Sequence, residues 1–165
     1  MNLQHIKKRN LVTLITSKLE QALTQAINAA NEAHAAAVDD QSIAETQYDT
    51  LAIEASYLAE GQSRRVQALQ TAIKKYQSLN LINFDENKPV ALTALVQLSN
   101  DKSKQHWFFI GPAAGGIRCA ISGQQVTVIT PQSPMGMALI GKHQEDDIDI
   151  KLGNKQFNDY LLRVI

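Results

Sequence analysis

The sequence predicts an α+β fold: an N-terminal antiparallel helical hairpin (a coiled coil) followed by a small antiparallel sheet domain. Residues 2–80 contain no proline and a single glycine, Gly61, and they are rich in the helix formers Ala, Gln, Leu and Glu. All four prolines and the other seven glycines lie at or after Pro89, among short apolar runs typical of strands. This shift divides the chain into a hairpin at 1–80, a linker at 81–90 and a compact domain at 91–165.

Both predicted helices carry one apolar stripe. In the first, apolar residues recur in steps of three and four from Leu11 to Ala37, and they change from Leu and Ile to Ala. We therefore expect a slender far end. In the second, the stripe contains a doubled step of four, a stutter that should loosen the coiled coil beside Gly61. That stripe comprises Tyr48, Leu51, Ala55, Leu58, Gln62, Val66, Leu69, Ile73 and Tyr76.

The turn between the helices is predicted at Val38–Ser42, which gives a hairpin tip near residues 38–45. Ser42 and Glu45 have the Ser-x-x-Glu spacing of a capping box at the start of the second helix. Asp39 and Asp40 lie just before them. From the residues alone, these acids are either solvated turn and cap residues or a functional cluster of carboxylates.

The second half is predicted to form strands and one short helix, Met135 to Ile140, which packs on the sheet. The last two strands form a hairpin across Gly153-Asn154-Lys155. Trp107, Phe108 and Phe109 are predicted core residues, and Cys119 a small buried hydrophobe. The predicted strands are Val90–Leu98, His106–Ile110, Ile117–Ile121, Gln125–Thr130, Ile148–Leu152 and Phe157–Val164.

Composition and spacing argue against several classes of function. Sixteen acids balance sixteen bases, which argues against tight nonspecific binding of nucleic acid. One cysteine and scattered histidines give no zinc-ligand spacing. The glycine-rich Gly111–Gly116 lacks the Lys-Ser/Thr of a P-loop, and Ser133 lacks the Gly-x-Ser-x-Gly of a hydrolase elbow. No membrane span or signal peptide is predicted, so we expect a cytoplasmic protein.

The segment Ser133–Lys142, with the acidic turn and strand at Glu145–Leu152, resembles the C-terminal domain of the GreA/GreB transcription elongation factors. Ala44–Thr50 and Glu54–Ala59, which contain Tyr-Asp-Thr and Glu-Ala-Ser-Tyr-Leu-Ala, are similar to one branch of that family. The resemblance covers most of the chain from about residue 26. It implies an FKBP-like C-terminal domain and a regulator of transcription elongation that inserts its coiled coil into the secondary channel of bacterial RNA polymerase.

The resemblance also implies what the tip acids do. In the family, they help the polymerase to hold a magnesium ion and a water, so that the polymerase cleaves the 3′ end of backtracked RNA. Asp39, Asp40 and Glu45 would take this role, with Asp40 and Glu45 as ligands of the shared Mg²⁺. The protein would have no cofactor of its own and would not be an enzyme.

Counted back from Tyr48, Gln41 and Ala44 occupy the acidic positions of the family's Asp-x-x-Glu-Asn tip motif. An alternative is therefore a factor that occupies the channel and inhibits or modulates the polymerase without cleavage. A third is a structural module whose coiled coil pairs with itself or with another helix. The FKBP-like fold also raises prolyl isomerase activity, which fold alone does not establish and which 5% aromatic content disfavours.

Two further groups of residues follow from the resemblance. A polymerase-docking loop is implied at Ser133, Pro134, Met135 and Gly136, where methionine gives an adaptable contact surface. A second group, Arg64 and Arg65, would lie near the nascent RNA, although a solvated helix face explains them equally simply. The resemblance implies a DNA-binding transcription protein, and we expect a monomer without membrane contact. The arm before residue 26 has no family counterpart and is a candidate dimerisation segment.

Overall fold

The structure is a computed structural model, and it describes residues 6–43 and 50–165. The elements are α1 (Lys8–Ile43), α2 (Thr50–Gln77), β1 (Leu95–Leu98), β2 (His106–Ile110), β3 (Arg118–Ile121), β4 (Gln124–Ile129), α3 (Pro134–Leu139), β5 (Asp147–Leu152) and β6 (Lys155–Val164). The predicted α+β class, with a helix pair before a sheet domain, is confirmed. In the part of the chain that the structure describes, no helix is long and apolar enough to span a membrane.

The chain divides into two compact units. One comprises the chain up to Ile15 together with Lys75–Ile165, and we call it the sheet unit; Thr16–Lys74 form the helix unit. The first turns of α1 therefore belong to the sheet unit. Leu11 and Ile15 are fully buried there, and Lys8 Nζ donates to the Ile82 carbonyl at 2.6 Å. This stretch of the candidate dimerisation segment is thus packed within its own chain.

The sheet has the strand order β3-β4-β2-β1-β6-β5. All neighbours are antiparallel except β2 and β4, which run parallel in register from His106↔Gln125 to Ile110↔Ile129. The prediction of a wholly antiparallel sheet was therefore wrong at this pair. After β2 the chain reverses and forms β3 two places away in the sheet. The tight turn from β3 to β4 then places β4 in the gap between β3 and β2, where it runs parallel to β2.

The main core lies between the sheet and α3. Leu139 of α3 has no exposed surface, and Ile148 and Ile150 of β5 point into the same cluster. All four residues of β1 are buried because this central strand is covered on both faces. The predicted burial of Trp107, Phe109 and Cys119 is confirmed, and Phe108 packs against the core from a partly buried position. The full cluster is Val90, Ala94, Val96, Leu98, Ile110, Ile129, Leu139, Ile148, Ile150, Leu161 and Val164.

The helix unit confirms the thinning stripe of α1 and corrects that of α2. Beyond Leu19, the buried side chains of α1 are alanines: Ala26, Ala33 and Ala37. On α2 the inward positions are Ala55, Ala59, Gln62, Val66 and Leu69. Leu58, predicted to face inward, is exposed, and Ala59 takes its place. The steps from Ala55 onward therefore alternate between four and three without the predicted stutter at Gln62.

The helix break predicted at Val38–Ser42 was wrong, because α1 continues to Ile43. That segment contains neither glycine nor proline, so nothing in it stops the helix of good formers that precedes it. Ser42 lies in α1 and does not cap α2, whose first described residue is Thr50. Glu45, the other half of the predicted capping box, lies outside the described residues.

Candidate functional site

The best-defined candidate site is the turn into α3. Ser133 is its N-cap, with extended backbone angles (φ −67°, ψ 155°). Its Oγ accepts the Gly136 N–H at 3.0 Å and donates to the Thr130 carbonyl at 2.8 Å. Pro134 follows at the first helical position, where its missing N–H costs nothing. The cap and the proline therefore fix the start of this short helix, which has about one and a half turns.

Gly136 fixes how closely α3 approaches the preceding loop. A Cβ at this position would lie 1.9 Å from the Thr130 carbonyl oxygen and 3.0 Å from the Pro131 Cα. Only glycine allows the helix to lie this near to the backbone that it follows. At the other end, Gly141 has φ +82° and donates to the Val90 carbonyl, while the Val90 N–H donates to the Lys142 carbonyl. Hydrogen bonds therefore fix the chain at both ends of α3.

The exposed surface of α3 differs from the predicted docking residues. Met135 packs against the core, Gly136 is buried and Ser133 is half-buried. Pro134 is exposed, and so are Met137, at 65%, and Ile140, at 39%, neither of which sequence reasoning selected. Positions 134, 137 and 140 are spaced by three, so they share one helix face. The structure therefore offers an apolar surface of Pro134, Met137 and Ile140, which we call the α3 face.

An acidic turn follows α3. Asp146 accepts the His143 backbone N–H at 2.7 Å and lies 3.8 Å from the His143 ring. The Glu145 N–H donates to the Leu161 carbonyl, and the Leu161 N–H returns to the Asp146 carbonyl. These bonds to β6 are made by the backbone of the turn, and the Glu145 side chain is exposed. This turn adds negative charge to the sheet unit directly after the apolar α3 face.

For the predicted tip acids, the structure gives at most the position of the backbone. Asp39 and Asp40 lie near the end of α1, and Glu45 lies outside the described residues. Within residues 6–43 and 50–165, no group of three His, Cys, Asp or Glu side chains could hold a metal ion. The predicted magnesium ligands Asp40 and Glu45 therefore stay a prediction.

The predicted RNA-proximal pair Arg64 and Arg65 is exposed on α2, in the helix unit. Arg64 pairs with Glu60 one turn earlier, through a short contact between two well-exposed side chains. Such a surface pair contributes little to stability because water screens it. Both arginines thus remain available to a partner.

The comparisons with known proteins were made on sequence and on structure. No family model and no curated protein matches the sequence. The chain is structurally similar to Gfh1. The GreA factor homolog 1 of Thermus thermophilus has a TM-score of 0.37 at 14% identity, over 91% of this chain and 94% of that one. Gfh1 of Thermus aquaticus gives 0.36 at 17% identity, over 90% and 92%.

A further structure, described as the transcription factor Gfh1, gives a TM-score of 0.35 at 16% identity, over 90% of this chain and 92% of that one. The structural comparison therefore returns GreA-like factors, the family that the sequence resembles.

Proposed function

We propose that this protein is a transcription elongation regulator that binds bacterial RNA polymerase and inserts its helix pair into the secondary channel. There its tip carboxylates stimulate cleavage of backtracked RNA. The observation that carries the proposal is the length of α1, an uninterrupted helix of 36 residues with Asp39 and Asp40 near its end. From Thr16, where the helix unit begins, to Asp40 it spans roughly 36 Å at 1.5 Å per residue, a reach suited to bringing carboxylates into a deep channel.

The proposed chemistry requires little of the protein itself. Carboxylates are preferred oxygen ligands of Mg²⁺, and in two-metal phosphodiester hydrolysis a metal-bound water is the attacking group. Asp40 and Glu45 would share a magnesium ion with the polymerase, and Asp39 would add charge beside it. The active site would belong to the polymerase, so the factor itself would not be an enzyme. We propose that it works in the cytoplasm.

The sheet unit would dock on the polymerase surface through the α3 face. Met137 is a flexible, polarizable side chain that adapts to a partner, and Pro134 beside it is held by the rigid cap. The proposal therefore separates two roles. Docking depends on Pro134 and Met137, whereas cleavage depends on the acids at the tip.

The test is RNA cleavage in a stalled, backtracked bacterial elongation complex. We expect the protein to accelerate cleavage, and the triple variant Asp39→Ala/Asp40→Ala/Glu45→Ala to lose the acceleration while still binding the complex. The matched control is Glu20→Ala/Glu32→Ala, which removes two exposed acids from the body of α1 and should accelerate cleavage as the unsubstituted protein does. Met137→Asp should weaken binding to the polymerase and leave the tip intact.

The other outcomes distinguish the alternatives. If the protein does not accelerate cleavage but competes with an established cleavage factor, it is a channel-occupying modulator. The absence of the Asp-x-x-Glu-Asn register at the tip favours this second candidate. If the protein neither accelerates cleavage nor competes, it does not act in the channel, and the proposal is then wrong.

A further inference from the structure

The outward face of α2 carries a group of large apolar and charged residues that are exposed in the part of the chain that the structure describes. Tyr57 is 71% exposed and Leu58 56%, although both are large and apolar. Tyr57 lies on the side of the helix away from the inward position Gln62, and Leu58 lies at the edge between the two sides. We call this surface the α2 outer face, and it consists of Glu54, Tyr57, Leu58, Gly61, Arg64 and Arg65, all exposed.

Gly61 lies at the middle of the α2 outer face, and no described residue of its own chain packs against it. A Cβ there would meet nothing within 4 Å, and the backbone is ordinary α-helix. Glycine inside a helix costs about 1 kcal/mol relative to alanine. A flat, side-chain-free point between Tyr57 and Arg65 is what a second backbone needs in order to approach closely.

The charges of the α2 outer face are divided by Gly61. The acid Glu54 lies before it, and the bases Arg64 and Arg65 lie after it. An antiparallel copy of the same helix reverses this order and sets the basic half of one helix against the acidic and aromatic half of the other. The surface is therefore complementary to itself under a two-fold rotation, as a closed homodimer requires.

We propose that two copies of this protein pair through α2, antiparallel, with the two-fold axis passing at Gly61. In this arrangement a residue n positions before Gly61 faces one n positions after it. Tyr57 faces Arg65 of the second copy, where the guanidinium stacks on the ring, and Leu58 faces the aliphatic stem of Arg64. Glu54 lies one turn from both arginines of the second copy.

The single-chain contact that must be given up is small. Arg64 pairs with Glu60 on an exposed surface, and such pairs are weak. The same arginine can therefore exchange that contact for one across the dimer. This inference does not rest on polymerase binding; if the proposed function holds as well, pairing would cover α2 and keep the helix pair out of the channel until the dimer dissociates.

Disulfide trapping tests the geometry. The only native cysteine, Cys119, is buried, and Cys119→Ser gives a background without thiols. On it, Gly61→Cys places a thiol at the axis, and we expect rapid oxidation to a disulfide-linked dimer. Ser63→Cys is the matched control, because it is exposed and near in sequence but lies on another face of α2. Cross-linking of Gly61→Cys no faster than of Ser63→Cys overturns the proposal.

The direction of pairing is tested by two more single-cysteine variants. Mixing Tyr57→Cys with Arg65→Cys should give a linked heterodimer faster than either variant links to itself, because positions 57 and 65 face each other only in the antiparallel arrangement. Faster self-linking of Tyr57→Cys would mean parallel helices and would overturn it.

Sedimentation equilibrium tests the pairing without chemistry. The wild-type mass should rise with concentration from the 18.2 kDa of one chain towards twice that value. Tyr57→Ala should raise the dimer dissociation constant about tenfold, since aromatic and arginine contacts dominate small interfaces. Gln70→Ala, an exposed position nine residues after Gly61 and therefore on the opposite side of α2, should leave it unchanged. A mass fixed at one chain over the whole range overturns the proposal.

Discussion

The sheet unit and the helix unit bury their apolar residues to very different depths. In the sheet unit, large side chains such as Phe109 and Ile110 have no exposed surface. In the helix unit, the buried residues of α1 after Leu19 are alanines, and the inward positions of α2 up to Leu69 are only half-buried. Hydrophobic stabilisation grows with the apolar area removed from water. The sheet unit is therefore held by close packing, and the helix unit depends more on helix propensity.

The comparison is sharpest for one substitution made in both units, glycine to alanine. In the sheet unit we expect Gly136→Ala to lower the free energy of unfolding by about 3 kcal/mol, because the new methyl group meets backbone that cannot rotate away. Urea denaturation followed by the fluorescence of Trp107, which lies in this unit, measures the change.

Gly115→Ala is the control for that variant. Its Cβ would lie 3.4 Å from the Thr130 methyl group, an ordinary contact with the same neighbouring residue. We expect a change well below that of Gly136→Ala. If the two variants unfold at the same urea concentration, the close approach of α3 to Thr130 does not limit the stability of the sheet unit.

Local chemistry explains which features of the fold were predictable. The buried Trp107 and Cys119 follow from apolar strand patterns, and the β5–β6 turn follows from Gly153-Asn154, because each signal lies within a few residues of its effect. The parallel β2–β4 pair was not predictable in this way. It depends on β3 skipping one place in the sheet, and no residue of β2 or β4 specifies that step.

The same distinction holds for the helices and the candidate site. Leu58 fits an apolar stripe better than Ala59 by composition, but the neighbouring helix sets which one faces inward. The short helix of α3 was predicted from Met135, and the cap at Ser133 with Pro134 in the first helical position emerged only in the structure. The exposure of Met137 was not, because it depends on which side of α3 packs against β5. The role predicted for Glu45 as a magnesium ligand rests on the sequence and the family resemblance alone, because Glu45 lies outside the described residues.

In the helix unit, Gly61→Ala should have the opposite sign to Gly136→Ala. The added methyl group meets no neighbour, and alanine is favoured over glycine inside a helix by about 1 kcal/mol. We expect that increase in the free energy of unfolding at low protein concentration, where single chains predominate. Circular dichroism of the helical signal during thermal unfolding measures it. A loss of stability would show that the helix unit is packed as tightly as the sheet unit at this point.

The smallest expected effects are two pH slopes that belong to the sheet unit. Burial, with a smaller contribution from Lys88, lowers the pKa of Lys8 to about 8, while its ammonium lies 4.6 Å from the centre of the Phe84 ring. Burial also raises the pKa of Tyr76, whose hydroxyl donates to the Ala113 carbonyl at 2.9 Å. Both shifts arise because the sheet unit holds a polar group where the charged form is poorly hydrated.

The two slopes have opposite signs. Between pH 8 and about 10, the unfolded chain keeps the Lys8 proton that the folded chain has released, so stability rises with pH. Above about pH 10, the unfolded chain loses the Tyr76 phenol proton that the folded chain keeps, so stability falls.

The measurement is the urea concentration at the midpoint of unfolding, followed by Trp107 fluorescence from pH 7 to 11. The midpoint should first rise and then fall with pH. Lys8→Met should remove the rise and keep the fall, and Tyr76→Phe should do the reverse, so each variant controls for the other. A rise that survives in Lys8→Met would place its origin outside the Lys8–Ile82–Phe84 contact.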